Sequence, residues 1–84
     1  MNNQVAQSFL DFWQNVDLET SEGHMSILSF LKDTDVEILL SDVCVREELC
    51  FAFIGDVPVE PRYKAEGEIR NLLRENWPKD RRWW

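Results

Sequence analysis

Glycine and proline are scarce, three of each in 84 residues, so the chain is neither collagen-like nor of low complexity. The glycines, Gly23, Gly55 and Gly67, stand alone, and no glycine-rich phosphate loop or Gly-x-Ser-x-Gly elbow is present. There is one histidine, His24, and there are two cysteines, Cys44 and Cys50, outside any Cys-x-x-Cys motif. Such a set is too small for a zinc site made of protein ligands alone. No stretch approaches the roughly 18 apolar residues of a membrane span. The first residues, Met1-Asn2-Asn3-Gln4, lack the basic and apolar regions of a secretory signal. These absences lead to a cytoplasmic expectation, with both cysteines reduced and buried as small apolar residues.

A chain of this length is one domain, residues 1–84, and buries only roughly 60–65% of its unfolded surface. Hydrophobic residues make up 44% and aromatics 12%, enough for one core. Charge is the strongest feature. The net charge is −7. Residues 1–60 hold twelve acids and two bases, a net of −10, whereas residues 61–84 hold four acids and seven bases, a net of +3. Such a balance argues against direct binding to nucleic acid, which needs a basic footprint, or to a membrane.

Periodicity predicts a mainly α fold of about four helices. The first covers residues 3–16, where Val5, Phe9 and Trp13 recur at i, i+4, Asn2 or Asn3 can cap, and Phe12 lies off the stripe, half exposed. A short second helix is expected over 24–31, with Ile27, Leu28 and Leu31 inward. The third is read as one continuous helix over 36–54. It opens on a capping box in which Thr34 accepts from the amide of Glu37. Its first apolar face is Val36, Leu39, Leu40, Val43, Cys50, Phe51 and Ile54, and its second is Ile38, Val45, Leu49 and Phe53. The same residues also alternate with period two, so the competing reading is α+β, with a central hairpin over 36–54 flanked by terminal helices. A final helix is expected over 61–77, striped by Ala65, Ile69, Leu72, Leu73 and Trp77, with Glu66 and Arg70 as an i, i+4 pair. The expected core is Trp13, Leu39, Leu40, Phe51, Ile69 and Leu73.

No catalytic constellation stands out, and the chain is read as a non-enzyme without a cofactor or metal. His24, beside a glycine near a loop, reads as a surface histidine. Asp33-x-Asp35-x-Glu37 begins like a calcium loop but has Ile38 where that loop needs glycine, so it reads as carboxylates favoured at a helix start.

The candidate partner-binding residues are the acids Asp33, Asp35, Glu37, Asp42, Glu47, Glu48, Asp56 and Glu60, and the tail residues Arg81, Arg82, Trp83 and Trp84. Carboxylates accept paired hydrogen bonds from arginine and steer cations over long range. An array of them can mimic phosphates before the cleft of a basic protein. Tryptophan and arginine are enriched at binding hot spots, although the charge balance leans towards the basic and aromatic tail, residues 79–84, folding back on its own acidic body. The reading is therefore an inhibitor of a basic protein such as a nuclease, of the toxin-immunity or phage and plasmid anti-defence type. The alternative is a non-inhibitory adaptor or assembly protein docking through its tail. Small size, acidity and a four-helix plan resemble bacteriocin-nuclease immunity proteins and phage-encoded acidic inhibitors at the level of fold alone. That resemblance assigns no residue.

Overall fold

The computed structural model describes residues 3–54 and 63–81. Five α-helices follow one another among these residues: α1 Gln4–Trp13, α2 Ser21–Lys32, α3 Val36–Leu39, α4 Val43–Phe53 and α5 Lys64–Asn76, with a 3-10 turn at Lys79–Arg81. No strand occurs among the described residues. The fold is mainly α, and the hairpin alternative is overturned: residues 36–54 are helical on both sides of a short break.

The chain starts four of these helices with the same device. A short polar side chain at the N-cap accepts from the amide three residues on: Asn3 from Ala6, Thr20 from Gly23, Asp35 from Ile38 and Asp42 from Val45. Each satisfies an amide that has no partner inside its helix. The expected capping box at Thr34 is thus displaced by one residue, because Asp35 takes the N-cap position of α3 and accepts from Ile38 at 3.2 Å.

The break between α3 and α4 decides which residues form the core. Leu40 ends α3, Ser41 turns back to donate to the Ile38 carbonyl at 2.6 Å, and Asp42 starts α4. A continuous helix would keep Val36, Leu39, Leu40, Val43 and Phe51 on one face. The break changes the phase. Val36, Leu39 and Leu40 are buried from α3, but α4 turns its other row inward, Val45, Leu49 and Phe53 at i, i+4, i+8. Phe51, expected in the core, is 85% exposed, and Val43 and Ile38 are also exposed. Cys44 is exposed and Cys50 half-buried, so neither cysteine is the buried residue expected.

The remaining core follows the stripes. Phe9 and Ala6 of α1, Ile27, Leu28 and Leu31 of α2, and Ala65, Ile69 and Leu73 of α5 are buried. Leu39, Leu40, Ile69 and Leu73 are where the sequence put them. Trp13 is only half-buried, stacked on Phe9 at 5.3 Å between ring centroids, and Phe12 is half-buried against Phe30. Helix α2 begins three residues before its expected start, and this carries His24 into the interior, where it is 1% exposed. Its Nδ1 donates to the Thr20 carbonyl at 3.0 Å, and its ring meets Phe53 and Tyr63. The expectation of a surface histidine is therefore corrected.

Gly23 shows why the start of α2 tolerates no side chain. A Cβ there would lie 1.9 Å from the Asp17 carbonyl oxygen, which Thr20 Oγ1 already approaches at 3.0 Å.

Two predictions test this packing. Leu40→Ala and Leu73→Ala should each cost roughly 2–5 kcal/mol in urea unfolding, as cavity-forming substitutions of fully buried leucines do. Gly23→Ala should lower the melting temperature, although alanine is worth about 1 kcal/mol more than glycine inside an unobstructed helix. A rise on that substitution would show that the loop preceding α2 yields freely.

Candidate protein-binding surface

The candidate acids fall into two groups set by helix ends. The first lies at the corner between α2 and α3. Asp33 closes α2 and is exposed, Asp35 caps α3, and Glu37 is exposed one residue into α3. Glu37 also lines a groove of about 390 Å³ with Ser41, Glu75, Trp77 and Lys79, so an acid of α3 and an acid from the end of α5 share one concavity. The second group belongs to α4. Asp42 is half-buried as the N-cap, and Glu47 and Glu48 are exposed in mid-helix.

These carboxylates are not equivalent. Those of Asp35 and Asp42 are engaged by their own helix amides, and Glu48 accepts from the Trp13 indole at 3.2 Å. Asp33, Glu37 and Glu47 enter no ion pair among the described residues. The ion pairs there are Lys32–Glu68 at 4.0 Å, Arg70–Glu66 at 3.3 Å and Arg81–Asp80 at 3.8 Å. The first joins α2 to α5 at the surface, where such a pair is worth about 0–1 kcal/mol.

The arginines that could have neutralised the body are used for other work. Arg46, from the middle of the acidic run, donates from Nη1 to the Leu40 carbonyl at 2.8 Å and so closes the end of α3. Arg70 donates from Nε to the Phe53 carbonyl at 3.0 Å and from Nη2 to buried Glu66, tying the end of α4 to α5. Both serve carbonyls left unpaired at a helix end. The i, i+4 pair expected of Glu66 and Arg70 forms, but inside the protein, with Glu66 1% exposed.

The tail is described as far as Arg81. Buried Trp77 donates from its indole to the Arg81 carbonyl at 2.7 Å, which folds the Lys79–Arg81 turn back onto the end of α5. The Arg81 side chain is exposed and pairs with neighbouring Asp80. Asp56, Glu60, Arg82, Trp83 and Trp84 lie outside the described residues.

Sequence reasoning missed three elements of this surface: the outward turn of Val43 and Phe51, the contact of Trp13 with Glu48, and the groove at Trp77. Ser41-Asp42 before Val43 is a legible helix-start signal that could have revealed the first of these. The other two are contacts over long sequence separations and leave no local mark.

Among the described residues no helix is long and apolar enough to cross a membrane, and no group of three or more His, Cys, Asp or Glu side chains is placed to hold a metal ion. No protein-family model matches the chain, and no curated protein or solved structure is detectably similar to it.

The Trp77–Arg81 bond makes the tail testable. Removing residues 79–84 should lower the melting temperature in calorimetry, since the Trp77 indole loses its acceptor and its cover. An unchanged melting temperature would mean that the turn contributes nothing to the fold.

Proposed function

We propose that this chain is a non-enzymatic acidic protein that binds and neutralises a basic, nucleic-acid-acting protein through a phosphate-mimicking carboxylate surface. The toxin-immunity and phage or plasmid anti-defence settings both suit such a protein. One observation supports the reading above others. Asp33, Glu37 and Glu47 are exposed and in no ion pair among the described residues, while Arg46 and Arg70 are occupied with helix-end carbonyls. An incoming arginine or lysine therefore displaces no ion-pair partner among the described residues at these three acids. It gains charge-assisted hydrogen bonds and long-range attraction. Asp35, Asp42 and Glu48 add to the local field while their carboxylates hold α3, α4 and Trp13. A cytoplasmic setting, where thiols stay reduced, suits the two free cysteines. The adaptor alternative draws less support, because the described part of the tail is engaged with Trp77.

The test is charge reversal at acids that carry no structural bond. The partner is recovered by affinity capture from the source cell, and its association rate is measured by stopped flow for the parent protein and for the Asp33→Lys, Glu47→Lys double variant. Association should slow by roughly tenfold in the variant. The rate for the parent protein should fall as salt rises, because screening shortens the attraction to about 8 Å at 0.15 M. A rate insensitive to both changes would remove phosphate mimicry even if the complex is real.

A further inference from the structure

We propose that the outer face of α4 is the docking surface for a cationic, apolar segment of the partner protein, with Phe51 as its anchor. This rests on the reading of the chain as a binder of a basic protein and names the part of the surface that grips. The phase change at Ser41–Asp42 turns one row of α4 outward, Val43, Glu47 and Phe51 at i, i+4, i+8, with Cys44 and Glu48 beside it. Val43 is 54% and Phe51 85% exposed. Eight residues of helix set these two apolar side chains about 12 Å apart, with the Glu47 carboxylate midway.

The row is thus apolar, acidic, apolar. A phenylalanine 85% exposed on a regular helix buries little apolar area in its own fold, and aromatic anchors ringed by polar groups are how interfaces hold. The charge decides the occupant. Arg46, the one cation of α4, is turned to the Leu40 carbonyl, so Glu47 and Glu48 face outward without a counter-charge on their own helix. Trp13 widens the apolar margin, with its indole donating to Glu48. A second copy of this chain fits badly. Two α4 helices paired about a two-fold axis through the centre of the row would set their Glu47 carboxylates against each other. A segment with one or two Arg or Lys between apolar side chains complements every position: cation on Glu47 and Glu48, apolar groups on Val43 and Phe51.

A random dodecapeptide phage library panned on the intact protein tests this. Enriched peptides are synthesised and their affinities measured by fluorescence anisotropy on the parent protein and on Phe51→Ala, Glu47→Lys and Asp33→Lys. The expected peptides place Arg or Lys between aromatic or aliphatic residues. Phe51→Ala and Glu47→Lys should each weaken binding roughly tenfold or more, whereas Asp33→Lys, off this face, should change it far less. The melting temperature of Phe51→Ala should be no lower than that of the parent protein, alanine being the better helix former. Equal affinity for Phe51→Ala and the parent protein, enrichment of acidic or neutral peptides, or no enrichment would each overturn the proposal. So would a lowered melting temperature for Phe51→Ala, which would mean the face is already covered, or a dimer in sedimentation that Phe51→Ala dissolves. If the charge reversals slow the cellular partner but Phe51→Ala does not, the α4 anchor fails and the acidic-surface reading stands.

Discussion

The fold turns on the interruption of a helix at Ser41–Asp42. Two interactions hold it. Asp42 accepts from the Val45 amide at 3.1 Å to start α4, and Arg46 reaches back to the Leu40 carbonyl at 2.8 Å to finish α3. Each satisfies a backbone group that an uninterrupted helix would have satisfied internally. With the break in place, Val36, Leu39 and Leu40 enter the core from α3, and Val45, Leu49 and Phe53 enter it from α4. The outward turn of Val43 and Phe51 is the other side of the same event. Asn3 reinforces the corner from outside, capping α1 while its Nδ2 donates to the Ile38 carbonyl at 2.9 Å and to Ser41 Oγ at 3.2 Å.

The surface inherits its character from this economy of hydrogen-bonding groups. A small acidic chain with two bases in its first sixty residues has few cations to place. Arg46 closes α3, and Arg70 joins Glu66 and the end of α4. Structure takes its cations for carbonyls, and the exposed acids Asp33, Glu37 and Glu47 are left without salt bridges among the described residues. An acidic surface of this kind follows from where the arginines are needed as much as from how many acids there are. The proposed contact with a basic partner would complete outside the molecule what the arginines do not do within it.

His24 and Gly23 illustrate a second dependence. Thr20 caps α2 and contacts the Asp17 carbonyl, so the loop before α2 crosses close enough to exclude a Cβ at residue 23. The helix start fixed in this way points His24 at Phe53 and Tyr63, and Tyr63 in turn donates to the Glu19 carbonyl at 2.8 Å. The histidine is a packing residue that ties the start of α2 to Phe53 of α4 and to Tyr63, which caps α5.

Local periodicity determined much of the molecule by itself. The rows Val5–Phe9–Trp13 and Ala65–Ile69–Leu73, the helical content, the half-burial of Phe12 and the Glu66–Arg70 pair follow from side chains that meet across one turn, a relation written directly in the sequence. Exposed charge at Asp33, Glu37 and Glu47 was legible for a similar reason, since unpaired carboxylates are costly to bury. The facing of α4 was not legible in its periodicity, only in the helix-start signal Ser41-Asp42. Its apolar residues divide almost evenly between two sides, and either side could have faced the core. The choice fell to the phase set at Ser41–Asp42 and to the Arg46–Leu40 and Arg70–Phe53 bonds. His24 was misread because it was placed at the loop end of α2; with the helix starting at Ser21 it stands three residues before Ile27 and four before Leu28, on the row that faces the core. Contacts between distant residues carry no periodic trace, so the seat of Trp13 on Glu48 and the contacts of His24 with Phe53 and Tyr63 were decided only when the helices came together.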